Sequence, residues 1–302
     1  MTQNKAAFTL IVLVALLALS TAAVAPALKF TFKDVNAPGA TETDTYAINN
    51  SKAIAGDYID SASVQHGMIL KGTKLTTADN SNCSSGIAFY GINSSGVAAG
   101  WCTGTSGSPI GFTYVKGKFK PVTIKGAVEV EADGINNSGQ VVGTYFDSAG
   151  AEHGFLLTGK KLTALNPPGV GSSATAWSIN DAGLIAVYGI NTAGTAYLSY
   201  TTADSGKTYQ PFAYTGKGAG SLGTVIHGIN NNGDITGTYF DTNSEGKGVL
   251  FHASKYYAFH DPNDCLAAPC STRSDGINDT LGVVGRYSPS SGANQGYFAQ
   301  AK

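Results

Sequence analysis

Residues 133–155 read DGINNSGQVVGTYFDSAGAEHGF. Asp133 opens this stretch, Asp147 lies in its middle and His153 closes it. Two carboxylates and an imidazole are the usual equipment of general acid–base catalysis or of a cation site. Whether they act together depends on the elements that carry them, and the chain repeats those elements.

Related stretches begin at Tyr46, Tyr90, Trp177, His227 and Asp275, which makes six copies. Their isoleucines, Ile48, Ile92, Ile135, Ile179, Ile229 and Ile277, are 43 to 50 residues apart. A period of that size means a solenoid, a propeller or an array. Each copy has the same grammar. A short strand ends in Ile-Asn, and a turn such as NNSG or NDAG follows, with Asn first and Gly in most copies last. An apolar strand, a polar loop, a third strand, a tight turn and a fourth strand complete it. Four antiparallel strands repeated six times predict an all-β chain, a six-bladed β-propeller of four-stranded antiparallel blades. The ends test this. The sixth copy stops at QGYFAQAK, after its third strand, while residues 28–41, LKFTFKDVNAPGAT, resemble KLTALNPPGVGSS of the third copy. The N-terminal strand is therefore expected to complete the last blade and close the ring, leaving only short edges. Residues 28–302 are read as a single propeller domain.

Gly134-Ile135-Asn136, Val142-Gly143-Thr144-Tyr145 and His153-Gly154-Phe155, with their copies, resemble the secreted HAF-repeat proteins of bacteria. The resemblance covers nearly all of the chain after residue 27. It departs at the triplet, which reads HGM at His66 and is lost in the second, fourth and fifth copies. It implies export and a propeller-like fold, and it implies no defined activity.

The repeat also separates scaffold from candidate site. Asn49, Asn93, Asn136, Asn180, Asn230 and Asn278 share the turn position and are read as turn makers, so the glycosylation-like triplets beginning at Asn49, Asn93, Asn136 and Asn278 follow from turn chemistry. Tyr58, Tyr145, Tyr188, Tyr239 and Tyr287 are read as one position packed between blades. His66 and His153 coincide, which favours a structural hydrogen bond over catalysis. What varies is more informative. Two residues before each isoleucine stand Tyr46, Tyr90, Asp133, Trp177, His227 and Asp275. They belong to the strand that lines the channel, near its mouth. Aromatic platforms with a few carboxylates suit a sugar or another polar ligand, and the bland reading is a plug. A second set is formed by the loop acids Asp60, Asp147 and Asp241, with Asp57 close by. They lack the spaced oxygens of a calcium loop and read as solvated turns.

The start of the chain is set apart. Lys5, the apolar run 8–19 and small residues up to Ala27 form a secretory signal pattern, with cleavage expected after Ala27. An uncleaved anchor is the alternative. A secreted or periplasmic location follows, and with it an oxidising environment. The four cysteines are then expected as two disulfides, Cys83–Cys102 and Cys265–Cys270. The net charge of −1 and the lack of a basic run exclude nucleic acid as a partner. No nucleophile elbow, zinc motif or phosphate loop is present, so no cofactor or metal is implied. The reading is an exported, monomeric, non-catalytic binding or structural module. Its ligand, at the channel mouth, would be a cell-envelope glycan, a polar small molecule or a protein. The alternative is a carbohydrate-active lyase or hydrolase using Asp133, Asp275 and His227 on the same face.

Overall fold

A computed structural model describes residues 28–264, 271–290 and 292–302. The expected signal peptide and the expected Cys265–Cys270 pair lie outside the described residues. Among those residues there is no helix, and so none long and apolar enough to cross a membrane.

Asn-initiated turns break the chain at short intervals, and between them it folds into six antiparallel four-stranded blades. Blade 1 runs Glu42–Ile48, Ala53–Ile59, Gln65–Lys71 and Lys74–Ala78, from the axis outward. Blade 2 runs Ala88–Ile92, Ala98–Thr103, Pro109–Val115 and Lys118–Pro121, and blade 3 Ala127–Ile135, Val141–Asp147, Glu152–Thr158 and Lys161–Leu165. Blade 4 runs Val170–Ile179, Ile185–Asn191, Tyr197–Thr202 and a short Gln210–Phe212. A single parallel bridge, Tyr197 to Gly223, ties it to blade 5, which runs Ala219–Ile229, Ile235–Asp241, Gly246–His252 and Lys255–Phe259. Blade 6 takes Thr272–Ile277, Gly282–Tyr287 and Gln295–Ala301 from the C-terminal end, and its outermost strand is Phe30–Val35. The chain closes as its ends suggested. Phe30 pairs with Ala301 and Val35 with Gly296, and Lys29 and Lys302 exchange backbone hydrogen bonds of 2.9 and 3.0 Å.

The invariant asparagines do more than turn the chain. Each Oδ1 accepts backbone N–H groups of its own turn, as Asn49 does from Ser51 and Ala53 at 3.0 and 2.9 Å. Each Nδ2 then donates to the backbone carbonyl of the corresponding asparagine in the next blade. Asn49 reaches Asn93, Asn93 reaches Asn136, and so on through Asn180, Asn230 and Asn278 back to Asn49, at 2.9 to 3.3 Å. This belt clasps all six blades at the lower end of the axis. Its amides are buried and occupied, so the triplets at Asn49, Asn93, Asn136 and Asn278 offer no acceptor for a glycan.

Two glycines of the motif are required by close approach. A Cβ on Gly143 would sit 2.0 Å from the carbonyl oxygen of Glu131 within the same blade, and one on Gly134 would sit 2.8 Å from that of Trp177 in the next. The Cys83–Cys102 disulfide forms, pinning the loop after blade 1 to the second strand of blade 2. The tyrosine row is corrected in one place. Tyr188 stands one residue nearer the turn than Tyr58, Tyr145, Tyr239 and Tyr287, because Thr175 faces Tyr188 where Glu131 faces Thr144. It therefore points toward the axis, where it packs 6.1 Å from Trp177 and 5.8 Å from His227.

Candidate functional site

The six variable residues have one structural origin. In every innermost strand the ladder slips just before the Gly-Ile or its equivalent, between Thr45 and Ala47, Phe89 and Gly91, Ala132 and Gly134, Ala176 and Ser178, Ile226 and Gly228, and Ser274 and Gly276. The extra residue in each bulge is Tyr46, Tyr90, Asp133, Trp177, His227 or Asp275. A bulged residue has no cross-strand partner and turns out of the sheet. This is why its identity is free to vary while its neighbours repeat.

All six line one chamber on the axis, floored by the ring of isoleucines. They come together as expected, but as a packed collar. Tyr46 lies 4.5 Å from Tyr90, Tyr90 5.6 Å from Trp177 and Trp177 4.7 Å from His227, centroid to centroid. Tyr46, Asp133, His227 and Asp275 are buried. The chamber holds about 70 Å3 of water-accessible space. That suffices for a few waters, and small-molecule sites are roughly 300–1,000 Å3. Within this chamber the packing favours the plug: bulky aromatics from neighbouring blades meet across a narrow axis and leave little room.

The acid–base groups also fail to share a pocket. His227 Nδ1 lies 3.3 Å from Asp275 Oδ1 and 3.2 Å from the Ser274 carbonyl. Asp133 makes no hydrogen bond or ion pair with either among the described residues. Burial pushes the His227 imidazole down to about 4, against the pull of Asp275, so it is neutral at pH 7. Burial, then the Glu131 charge, hold the Asp133 carboxyl well above the usual carboxylate range, and its Oδ2 is buried without a partner. Asp133 thus stands apart from the His227–Asp275 pair, in a chamber with room for only a few waters.

Two important residues, Arg286 and Asp44, were not singled out from the sequence, and a third, Asp57, was grouped with the solvated loop acids although it is buried. Arg286 Nη1 donates to Asp275 Oδ2 at 3.2 Å, its Nε lies 3.7 Å from Asp44 Oδ1, and its guanidinium covers the Tyr46 ring at 4.9 Å. Burial opposes its charge, but Asp275, Tyr46 and Asp44 hold it above its ordinary value. Asp57 faces Asp44 across the strand pair of blade 1. Burial, then the Asp44 charge, raise Asp57 to about 7, while Gln65 Nε2 donates to its Oδ2 at 2.8 Å. A signal for Asp57 and Arg286 existed. The x of the Gly-x-Tyr repeat and its equivalents read Asp57, Trp101, Thr144, Tyr188, Thr238 and Arg286, a second variable ring from which Trp101 stacks on Tyr90, Tyr188 packs on Trp177 and Arg286 covers Tyr46.

The sign of one titration can be tested directly. Between the ordinary 3.8 and about 7, folded Asp57 keeps a proton that the unfolded chain has released. Stability must therefore fall as pH rises through that window, by up to about 1.4 kcal/mol per pH unit. Asp57→Asn removes this loss. Thermal unfolding should show a gain on the order of 2–4 kcal/mol at pH 8 and almost none at pH 4. An equal gain at both pH values would mean that Asp57 titrates like a surface carboxylate.

The loop acids are the expected solvated turns. Oδ1 of Asp60, Asp147 and Asp241 accepts the N–H groups two and four residues on, at 2.8 to 3.0 Å. Among the described residues no three His, Cys, Asp or Glu groups converge on a metal position. Asp147 and His153 nonetheless meet. His153 Nε2 lies 3.0 Å from Asp147 Oδ2, and its ring stacks on Tyr145 at 4.9 Å. Blade 1 repeats this trio with His66, Asp60 and Tyr58.

One difference separates the two trios. His66 Nδ1 is held by Asp79 at 2.7 Å, and Gln65 packs so tightly on Gly86 that a Cβ there would lie 2.2 Å from it. In blade 3 the residue matching Asp79 is Asn166. It leaves His153 Nδ1 without a partner among the described residues, and a cleft of about 170 Å3 opens between blades 3 and 4. Glu152, His153, Asn166, Pro167, Val170 and Gly171 line it.

No protein-family model matches the chain, and no curated protein matches it in sequence. Solved structures do match in fold. TolB from Acinetobacter baumannii superposes with a TM-score of 0.53 at 10% identity, over 87% of this chain and 66% of TolB, so the chain spans just under two thirds of that protein. AofleA from Arthrobotrys oligospora gives 0.53 at 9% identity, over 90% of this chain and 86% of AofleA. The six-bladed Aleuria aurantia lectin gives 0.44 at 13% identity, over 72% and 76% of the two chains, a level that carries no argument. At such identities the likeness is one of fold alone, and together with the six closed blades it establishes the chain as a β-propeller.

Proposed function

We propose that this protein is an exported, non-catalytic recognition propeller. Its polar ligand, a sugar unit of a glycan, sets one edge into the cleft beside His153 between blades 3 and 4, which at about 170 Å3 leaves the rest of the ring in solvent. The observation that carries this reading is the contrast between two copies of one trio, shut by Asp79 in blade 1 and open in blade 3. The open cleft presents an imidazole nitrogen, a carboxylate and an amide around apolar Pro167 and Val170. Directional polar groups on an apolar floor are what a sugar ring requires. The collar supports the same reading by exclusion, since Asp133 lies apart from the Asp275–His227 pair in a chamber that admits only water. Export accords with the Cys83–Cys102 disulfide, because such bonds persist in oxidising compartments. It also accords with the resemblance of the repeat to secreted HAF-repeat proteins.

A glycan array tests this. His153→Ala should lower the signal of the bound glycan at least tenfold. His66→Ala, at the shut counterpart, and Asp133→Ala, in the collar, should leave it unchanged in folded protein. Binding indifferent to His153→Ala would remove the cleft as the site. Conversion of the bound glycan to product would restore the enzymatic alternative.

A further inference from the structure

A large cleft lies at the seam where the ring closes, between blade 6 and blade 1. It measures about 430 Å3, within the usual range of small-molecule sites. Val35, Pro38, Ile48, Ile54, Leu70 and Phe298 supply apolar walls. Its polar lining is Lys33, Asp34, Asn36, Lys52 and Thr73; Asp34 accepts a hydrogen bond from the Tyr287 hydroxyl, and neither lysine has a carboxylate within 4 Å among the described residues.

Two residues of blade 1 shape this cleft. The first is Leu70, which faces Ile54 in the ladder. The matching residue of blade 2, facing Ala98, is Tyr114, and its buried ring fills the seam between blades 1 and 2. In blade 5 it is Phe251, which packs 5.8 Å from Phe212 of blade 4. Blade 3 also has a leucine there, Leu157, packed against the core, whereas Leu70 lines the open cleft at the closing seam. The second is Lys52. The last position of the inner turn is Gly96, Gly139, Gly183 and Gly233 in blades 2 to 5, all at positive φ. Lys52 occupies that position at φ +59°. A non-glycine residue there costs roughly 1–2 kcal/mol. In blade 6 the exception is Leu281, which packs against the core. Lys52 is exposed and gains no packing that would offset the strain. What its side chain does is set an ammonium at the edge of an apolar cleft, across from Lys33.

We propose that the seam between blades 6 and 1 binds a single-chain anionic amphiphile, a fatty-acid-type molecule. The acyl chain lies against Ile54, Leu70 and Phe298, and the carboxylate is held between Lys33 and Lys52. This site is separate from the cleft beside His153, and the two stand or fall independently. Charge complementarity selects the occupant: Lys33 and Lys52 outnumber Asp34, whose carboxylate is engaged by Tyr287, so an anionic head is favoured over a cationic one, and the apolar walls require a chain longer than that of acetate.

The test is titration calorimetry on the purified protein with dodecanoate below its micellar concentration, beside dodecyltrimethylammonium and acetate. Dodecanoate should bind, and the other two should bind at least tenfold more weakly. Leu70→Trp should fill the seam and weaken dodecanoate at least tenfold. Lys52→Gly restores the residue used by four other blades. It should weaken dodecanoate several-fold while the melting temperature stays level or rises, an outcome that global damage could not produce. Equal affinity for the cationic amphiphile, or dodecanoate binding unaffected by Leu70→Trp or by Lys52→Gly, overturns the proposal. Neither result bears on glycan binding at His153.

Discussion

Removing residues 28–35 should cost on the order of 5 kcal/mol or more, and cooperative unfolding should be lost or shifted down by more than 10 °C, given roughly 2–4 °C per kcal/mol in a domain of this size. The strand contributes a six-residue ladder to the last blade. It also brings Phe30 to a stacked contact with Phe259 at 4.3 Å, Phe32 to Tyr297 at 5.6 Å, and buries Val35. Each such side chain contributes about 1.5–3 kcal/mol when fully buried. The loss is also topological. Without the strand, Gln295–Ala301 becomes an exposed edge of apolar character, and such edges pair with other chains. The shortened protein should therefore associate in sedimentation experiments. A synthetic peptide of residues 28–38 should restore the melting transition by adding the strand in trans. A shortened variant that melts like the parent would show that closure contributes little.

The second large effect belongs to Arg286. It is buried against Asp275 and Asp44, and no other cation contacts those two carboxylates among the described residues. Breaking a buried pair by removing one partner typically costs about 3–5 kcal/mol, because the remaining charge is left in a dry site. Arg286→Ala should cost that much in denaturant unfolding at pH 8, with Arg286→Lys recovering part of it. The pH dependence identifies the cause. Without the guanidinium, Asp44, already raised by burial, loses the charge that lowers it, so its folded pKa rises further and stability falls as pH rises through the new value. The loss should then be clearly smaller at pH 5 than at pH 8. A loss under 1 kcal/mol, or one independent of pH, would mean that the cation is a surface ornament of the channel.

Much of this molecule was legible in its sequence because its grammar is local. An Asn-led turn, a strand of alternating burial and a glycine forced by close approach are decided within a dozen residues. Six repetitions of that unit, with a strand missing at one end and an orphan at the other, leave a closed six-bladed ring as the consistent solution. The variable position before each isoleucine was equally visible, since repetition makes an exception conspicuous. Its cause, a bulge that frees the side chain from cross-strand pairing, required the register of the ladder. The same repetition misled at Tyr188, where one residue's offset in blade 4 turned an outer tyrosine into an axial one.

What the axis holds could not be read from the chain, because it is built by residues some 44 positions apart on six different strands. Whether Tyr46, Tyr90 and Trp177 rim an opening or fill it depends on the radius of the ring, which no local pattern encodes. The pairing of Arg286 with Asp275 and Asp44 depends on how blades 6 and 1 meet. So does the hollow beside Leu70 and Lys52. The sequence by itself determined the blades, the turns and the closure, each a matter of neighbours along the chain. The tertiary structure decided that the channel is plugged and that the open surfaces are clefts between blades, because cavities are set by the volumes of side chains that only folding brings together.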